Sequence, residues 1–164
     1  MELYLIRHGL AGERGQYTND DERPLTDEGE KKTAAVARQL KDKGIRFDLV
    51  LTSGLMRAKQ TAAILEKAKL TPRVEESAAL RPGGEIEEWI NWLGCWSDYN
   101  DRSRLALVGH EPDLSQWAEL LVWGEIKEKL NLKKAGIIGL NLPSRENLIA
   151  QSELFLLISP KWFI

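Results

Sequence analysis

The sequence predicts an α/β fold built around a mainly parallel sheet. Short apolar runs alternate with stretches of helical periodicity along most of the chain, which is the order expected when helices connect parallel strands. Several of these apolar runs end at a glycine, as the first does at Gly9. The chain has 164 residues, of which 43% are apolar and 29% charged, so its length and composition are those of a globular protein with a substantial core.

Six segments are expected to form strands. Five are apolar runs rich in Leu, Ile, Val or Phe, at 3–6, 47–52, 104–108, 137–142 and 154–158, as in strands that are buried on both faces of a sheet. The sixth, Arg-Val-Glu-Glu at 73–76, is short and mostly polar. No linker is long enough to divide the chain, so we expect a single domain over residues 1–164.

Helices are predicted between these strands, at about 26–44, 54–68, 85–95 and 112–123. Thr26 is the expected N-cap of the first helix, because a threonine side chain can accept a hydrogen bond from a free N–H group of the first turn. Gly29 stands where a complete capping box would need Glu or Gln. Gly44 and Gly124 are expected to end the first and the last helix.

Charge and cysteine content exclude several classes of function. The net charge is −2, from 23 basic and 25 acidic residues, which argues against nucleic acid or an anionic membrane as the main partner. No apolar run approaches the ~20 residues of a membrane span, and the first residues do not resemble a signal peptide. Cys95 is the only cysteine, so an intrachain disulfide is excluded. We therefore expect a cytoplasmic protein.

Polar side chains follow three of the predicted strands. Arg7 and His8 end the first strand, Ser53 and then Arg57 follow the second, and His110 follows the strand at 104–108. Because the carboxyl ends of parallel strands meet at one edge of a sheet, these side chains are expected to converge there, beside helix N-termini that attract anions. Guanidinium groups bind two phosphate oxygens at once, so the pattern favours a phosphoryl group as ligand. Taken singly, each of these residue types is more often structural than catalytic, so the prediction rests on their occurring together.

Five segments together resemble the histidine phosphatase superfamily, whose fold is called phosphoglycerate mutase-like. They are Leu-Ile-Arg-His-Gly at 5–9, Arg-Pro-Leu-Thr-Asp-Glu-Gly at 23–29, Ser-Gly-Leu-Met-Arg-Ala-Lys-Gln-Thr-Ala at 53–62, Val-Gly-His-Glu-Pro at 108–112 and Ile-Ser-Pro at 158–160. Their order and spacing are similar to those of the short SixA-type branch of phosphohistidine phosphatases. The resemblance spans nearly the whole chain and implies a three-layer α/β/α architecture.

The resemblance implies a role for four residues. His8 would be the nucleophile that forms a covalent phosphohistidine, with its other ring nitrogen donating to a backbone carbonyl. Arg7, Arg57 and His110 would bind the phosphoryl oxygens and stabilise charge in the transition state. Arg23 either reaches the substrate from the edge of the site or is a surface residue before a helix cap. No cofactor is expected, and with only two histidines no metal is expected either.

A general acid for the leaving group is not evident. Glu85 and Glu111 are the main candidates, with Glu75 and Glu76 as further ones, but none lies in a motif that aligns with the family. A phosphohistidine substrate would remove the need for such an acid, since its imidazole leaving group is protonated by solvent near neutral pH.

We therefore expect a phosphohistidine phosphatase that acts on phosphorylated signalling proteins, for example on histidine-containing phosphotransfer domains. The short chain leaves no room for the insertions that cover the site in larger family members, which is consistent with a protein substrate. The alternatives are a small-molecule phosphomonoesterase, favoured if a carboxylate points into the site, and a phosphoprotein-binding module with weak turnover.

Two further segments allow alternative interpretations. Trp89, Trp92 and Trp96 have helical spacing and would form either part of the core or an exposed docking patch for a partner. The mixed-charge stretch at 127–134 is expected to be a solvated surface.

Overall fold

The structure, a computed structural model, describes all residues 1–164 and contains one six-stranded sheet with four α-helices. The strands are β1 (Glu2–Arg7), β2 (Leu49–Thr52), β3 (Val74–Glu76), β4 (Arg104–Gly109), β5 (Ile137–Asn141) and β6 (Glu153–Ile158). The helices are α1 (Asp27–Asp42), α2 (Met56–Lys67), α3 (Ile86–Cys95) and α4 (Asp113–Trp123). Each element lies within a few residues of its predicted position.

The sheet is mixed but mostly parallel, with the strand order β3-β2-β4-β1-β5-β6. β1 pairs in parallel with β4, and β2 pairs in parallel with both β4 and β3. β5 is antiparallel to both of its neighbours, β1 and β6, so it alone runs in the opposite direction. The predicted α/β class is confirmed, and the carboxyl ends of β1, β2 and β4 lie side by side at one edge.

Two apolar clusters lie on the two faces of the sheet and produce the three layers. Strand β1 shows the division, since Leu3 and Leu5 belong to the cluster that includes α3 and α4, while Tyr4 and Ile6 belong to the cluster that includes α1 and α2. This alternation follows from the two-residue period of a strand. Burial on both faces fixes the register of β1 and with it the position of the residues that follow.

The tryptophan triplet belongs to the core. Trp89 is fully buried and packs 6.0 Å from Trp117 between ring centroids. Trp96, which caps the C-terminus of α3, is also buried, and partly buried Trp92 stacks on it at 5.6 Å. The core interpretation is therefore confirmed, and the docking-patch alternative is wrong.

The first helix begins as the sequence predicts, because the side chain of Thr26 accepts a hydrogen bond from the N–H of Gly29 at 3.0 Å. The absence of a side chain at Gly29 has a structural reason. A Cβ atom there would collide with the carbonyl oxygen of Leu10, so the loop that leaves β1 could not pass so close to α1. None of the helices combines the length and apolar character that crossing a membrane requires.

Candidate active site

Four of the side chains singled out by the motifs meet at the carboxyl edge of the sheet. Arg7 is the last residue of β1, and His8 follows it with its N–H donated to the carbonyl of Gly109 at the end of β4. His110 follows β4, and its ring lies 5.1 Å from that of His8 between centroids. Arg57 projects from the first turn of α2 and is buried. The expected convergence is therefore present in the structure.

The hydrogen bonding of His8 defines which nitrogen carries the proton. Its Nδ1 lies 2.7 Å from the carbonyl oxygen of Gly9, and a carbonyl can only accept. Nδ1 is therefore protonated, and Nε2 carries a lone pair. Burial, followed by the charge of Lys134 and the neighbouring ring of His110, lowers the pKa of His8 to about 2. The ring is therefore neutral at physiological pH, as a nitrogen nucleophile must be.

His110 is also neutral and lies against Ser53. Its Nε2 is 2.9 Å from the hydroxyl oxygen of Ser53, which accepts a hydrogen bond from the N–H of Leu55. Burial and then the charges of Arg57 and Lys134 lower the pKa of His110 to about 3. Because both rings are neutral, they add no further positive charge to the cations of this site.

Three buried donors of the site have no hydrogen-bond partner within the protein. They are Nε of Arg7, Nε of Arg57 and Nδ1 of His110, the last of which is a donor when its nitrogen is protonated. The remaining buried side-chain atoms of this kind are the indole N–H groups of Trp89 and Trp96. Because buried polar groups are nearly always paired, three unpaired nitrogens at one edge of the sheet indicate a site for an anionic ligand.

Arg23 belongs to the site and not to the surface. It is 4% exposed, and its guanidinium donates to a carboxylate oxygen of Asp20 at 2.8 Å and to the carbonyl of Gly12. The second carboxylate oxygen of Asp20 lies 3.3 Å from Nη2 of Arg57. Asp20, in a short 3-10 turn before α1, thus joins the two arginines. The interpretation of Arg23 as a surface residue is wrong.

Asp20 is ionised in this position. The hydrogen bond from Arg23 lowers the pKa of its carboxyl group, and the charge of Arg57 lowers it further. Sequence analysis did not identify Asp20 as a site residue, because a single acid in an acidic loop carries no motif. It is a fixed anion among the arginines and not a proton donor near neutral pH.

Lys134 is a site residue that sequence analysis missed. Its Nζ lies 3.5 Å from Nε2 of His8, on the lone-pair side of the ring. Burial, together with the charges of Arg7, Arg23 and Arg57, lowers the pKa of Lys134 to about 8. The ammonium group therefore remains mostly protonated at neutral pH and faces the atom that would attack phosphorus.

The segment 127–134 is a surface segment, as expected, because most of its side chains are exposed, but its backbone is anchored to the protein. The buried carboxylate of Glu119 accepts hydrogen bonds from the backbone N–H groups of residues 127–130. Farther along, Arg7 donates to the carbonyl of Leu132, and the N–H of Ala135 donates to the carbonyls of Arg7 and His8. Lys134 is held beside β1 by these contacts.

No carboxylate is hydrogen-bonded to either histidine ring. Glu85 is exposed at the N-terminus of α3. The two carboxylate oxygens of Glu111 accept hydrogen bonds from the N–H and the hydroxyl of Ser115 in α4. Burial lowers the pKa of Arg7, and the charge of Glu111 opposes that shift only in part. Glu75 and Glu76 form exposed ion pairs with Arg73 and Lys59. The structure thus places none of these acids against the nucleophile.

The site is dominated by nitrogen donors and cations. Arg7, Arg23, Arg57 and Lys134 surround the two neutral histidines, and Asp20 is the acid in direct contact with the arginines. No group of three or more His, Cys, Asp or Glu side chains is arranged to hold a metal ion. The arrangement can bind a phosphoryl group by its oxygens while a lone pair faces phosphorus.

Comparison with known proteins identifies the family of the chain. The family described as the histidine phosphatase superfamily (branch 1) matches residues 3–89, more than half of the chain. An uncharacterized protein of Picosynechococcus sp. is 47% identical over 100% of this chain and 99% of its own length.

Solved structures share the whole fold at low identity. The protein histidine phosphatase SixA complexed with tungstate has a TM-score of 0.85 and 22% identity, with 100% of both chains covered. Phosphoserine phosphatase from Entamoeba histolytica in complex with 3-phosphoglyceric acid has a TM-score of 0.70 and 18% identity, with 99% of both chains covered. The fold is thus common to proteins named for different substrates. From the family match and the full-length relative, we conclude that this chain belongs to the histidine phosphatase superfamily.

Proposed function

We propose that this protein is a phosphohistidine phosphatase that hydrolyses phosphohistidine on signalling proteins, such as histidine-containing phosphotransfer domains, through a covalent intermediate on His8. The observation that carries the proposal is the combination of a neutral His8 facing cations with no carboxyl group hydrogen-bonded to either histidine ring, the one acid in contact with the arginines being the ionised Asp20. The site suits a substrate whose leaving group departs without a proton donor from the protein.

Binding of the phosphoryl group would use the unpaired donors. Nε of Arg7, Nε of Arg57 and Nδ1 of His110 are available without breaking an existing hydrogen bond. A proton on Nδ1 of His110 requires the hydroxyl of Ser53 to donate to Nε2, which its position at 2.9 Å allows. Such fixed donors in a buried site stabilise the charge of the transition state by several kcal/mol, or about 10²–10³ in rate for each donor.

The reaction would proceed in two displacements. In the first, Nε2 of His8 attacks phosphorus and forms a P–N bond, while the bond to the substrate nitrogen breaks and its electron pair stays on the departing imidazole. In the second, water attacks phosphorus and loses a proton to solvent. The P–N bond to His8 then breaks, and its electron pair returns to Nε2 as inorganic phosphate leaves.

Lys134 would bind a non-bridging phosphoryl oxygen. In an in-line displacement the leaving group lies on the side of phosphorus opposite the nucleophile. An ammonium group 3.5 Å from Nε2 of His8 is on the nucleophile's side, next to the equatorial oxygens. Lys134 would therefore neutralise charge on the transferred group and would not protonate the leaving group.

The leaving group separates the candidate substrates. Phosphohistidine with a protonated distal nitrogen releases neutral imidazole, whereas phosphoserine releases an alkoxide that must be protonated as it departs. A positioned general acid typically contributes about 10²–10⁴ in rate to such a step. Without one, phosphohistidine should be hydrolysed at least about 10²-fold faster than phosphoserine, with aryl phosphates in between.

The test is a set of kcat/KM values for a phosphohistidine peptide, a small aryl phosphate and a phosphoserine peptide on one enzyme preparation, with His8→Ala as the control for contaminating phosphatases. Comparable values for phosphoserine and phosphohistidine would overturn the proposal in favour of a phosphomonoesterase with a carboxylic acid donor. Binding of phosphopeptides without turnover of any substrate would instead indicate a binding module.

A further inference from the structure

A groove with four lysines lies beside the candidate active site. Lys32, Lys133, Lys134 and Lys161 line a cavity of about 480 Å³ together with the apolar side chains of Leu10 and Ile164. No acidic side chain lines it. We call this feature the lysine groove.

The lysine groove is continuous with the active site through Lys134, whose ammonium group reaches His8. Topology explains this continuity. β6 runs in the same direction as β1, and β5 runs against both, so the start of β5 and the end of β6 lie at the edge where β1 ends. Lys133 and Lys134 precede β5, and Lys161 follows β6.

The cations of the lysine groove are largely unpaired. Lys32 forms an exposed ion pair with Glu28, whereas Lys133, Lys134 and Lys161 take part in none of the ion pairs of the protein. Like charges that lie close together without acidic side chains among them repel one another and attract anions from solution. The groove therefore favours a negatively charged part of a ligand whose phosphoryl group lies at His8.

The exposure of these lysines favours a macromolecular ligand over a second phosphate group. Lys32, Lys133 and Lys161 are exposed and come from three separate parts of the fold. A dedicated phosphate subsite uses donors fixed by burial, as Arg57 is in the active site. Exposed lysines next to exposed Leu10 and Ile164, which are 36% and 56% exposed, have the mixed apolar and charged character of a protein–protein contact.

We infer that the lysine groove binds acidic side chains of the substrate protein that lie close to its phosphorylated residue. This inference rests on the proposed function, because it assigns the charge character of the protein surface that presents the phosphoryl group. Exposed charge pairs contribute modestly one by one, so three of them should give about a tenfold preference for an acidic over a neutral sequence context.

The experiment uses two phosphohistidine peptides that differ only in acidic or neutral residues flanking the phosphorylated position. Wild type is compared with the triple variant Lys32→Ala, Lys133→Ala, Lys161→Ala. The matched control is Lys41→Ala, Lys43→Ala, Lys67→Ala, which removes the same charge from exposed positions at the far ends of α1 and α2. Turnover of a small aryl phosphate, expected to be unchanged, monitors the fold and the chemistry of each variant.

The expected result is about a tenfold higher kcat/KM of wild type for the acidic peptide, which the groove variant loses and the control keeps. The preference should also shrink in about 1 M salt, where the screening length falls to about 3 Å. Equal kcat/KM for both peptides with wild type, or a preference retained by the groove variant, would overturn the inference. A groove variant that is slowed on a sugar bisphosphate but not on the acidic peptide would overturn it in favour of a small polyanion.

A binding measurement separates this inference from the proposed function. The same two sequence contexts, built around a non-hydrolysable phosphohistidine analogue, are titrated against wild type and both variants. If phosphohistidine is not hydrolysed, the proposed function fails. The inference on the lysine groove is then decided by binding alone. A Kd about tenfold lower for the acidic than for the neutral analogue peptide supports it, and equal Kd values overturn it.

Discussion

The two sides of the candidate active site carry similar positive charge, but acidic side chains neutralise it on only one of them. On the side of β2 and β3, Arg23 and Arg57 bind Asp20, and Arg81 binds Asp21. On the side of β5 and β6, Lys133, Lys134 and Lys161 have no acidic partner within the protein. Arg23 and Arg57 are buried and held by Asp20, whereas Lys133 and Lys161 are exposed and Lys134 is half-buried.

This difference suits the two sides to different parts of ligand binding. Buried guanidinium groups in a rigid hydrogen-bonding network are suited to holding a phosphoryl group in one geometry. Exposed ammonium groups on flexible stems are suited to attracting an anionic surface without fixing its orientation. His8 lies between the two sides, with Nδ1 fixed by Gly9 and Nε2 facing Lys134.

Removal of the His8 imidazole, which lies between the two sides, should lower the rate of turnover more than any other substitution considered. His8→Ala is expected to lower kcat by at least about 10⁴-fold and to abolish an acid-labile phosphoenzyme, because no other side chain presents a lone pair at this position. The measurement is single-turnover labelling with a phosphohistidine peptide. Tungstate binding monitors the site, since the arginines remain. A variant that retains near-normal turnover would show that His8 is not the nucleophile.

On the arginine side, Arg57→Lys should reduce kcat/KM by about 10²-fold although the charge is retained. Lysine cannot reproduce the bond of Nη1 to the carbonyl of Asp20 and also present a second donor to the phosphoryl group. Arg38→Lys, an exposed position on α1, is the matched control. Equal kcat/KM for Arg57→Lys and wild type would mean that Arg57 acts only as a remote charge.

On the lysine side, Lys134→Met should lower kcat/KM for a small aryl phosphate by about 10²-fold at pH 7, since one donor to the phosphoryl oxygens is lost. In wild type, kcat/KM should fall as the pH rises through about 8, because Lys134 then loses its proton. Lys134→Arg should move this fall to higher pH, and Lys133→Met should leave it in place. An unchanged alkaline limb in Lys134→Met would assign the titration to another group.

That prediction also tests the role of Lys134 relative to the leaving group. If Lys134 binds a non-bridging oxygen, Lys134→Met should slow phosphohistidine and aryl phosphate by the same factor. A loss that grows with the basicity of the leaving group would instead identify Lys134 as the general acid.

The smallest effect is expected from substitution of Asp20, the acid that neutralises Arg23 and Arg57. Asp20→Asn should tighten the binding of tungstate by about fivefold, because an incoming oxyanion no longer competes with an ionised carboxylate for Arg23 and Arg57. Asp21→Asn, which loses only the exposed pair with Arg81, is the control. Weaker tungstate binding in Asp20→Asn would show that Asp20 positions the arginines more than it competes with the ligand.

Much of the fold could be predicted from local patterns. Apolar runs marked five of the six strands, the exception being the short β3, and Thr26 and Gly124 marked helix ends that the structure confirms. The boundaries differ where contacts outside the element intervene. β2 begins at Leu49 and not at Phe47, since the N–H groups of residues 47 and 48 donate to Leu70 and Arg104.

The site residues that follow parallel strands could be predicted from the sequence, whereas the residue that precedes the antiparallel strand β5 could not. Arg7, His8 and His110 could be placed because β1 and β4 end in polar residues and lie side by side. Lys134 could not be placed, because an apolar run does not reveal the direction of its strand. The antiparallel orientation of β5 brings the residues before it to the edge where β1 ends.

The sequence by itself determined the order of the elements, the two-sided burial of the central strands and the residues that end them, since these depend on local periodicity and side-chain type. The tertiary structure decided the tautomer of His8, the burial of Arg23 and the contact of Lys134 with His8. It also decided which cations are paired with acids and which are free. These properties depend on distances between segments that are far apart in the chain, as with residues 8 and 134, and such distances are set only when β1 and β5 pair.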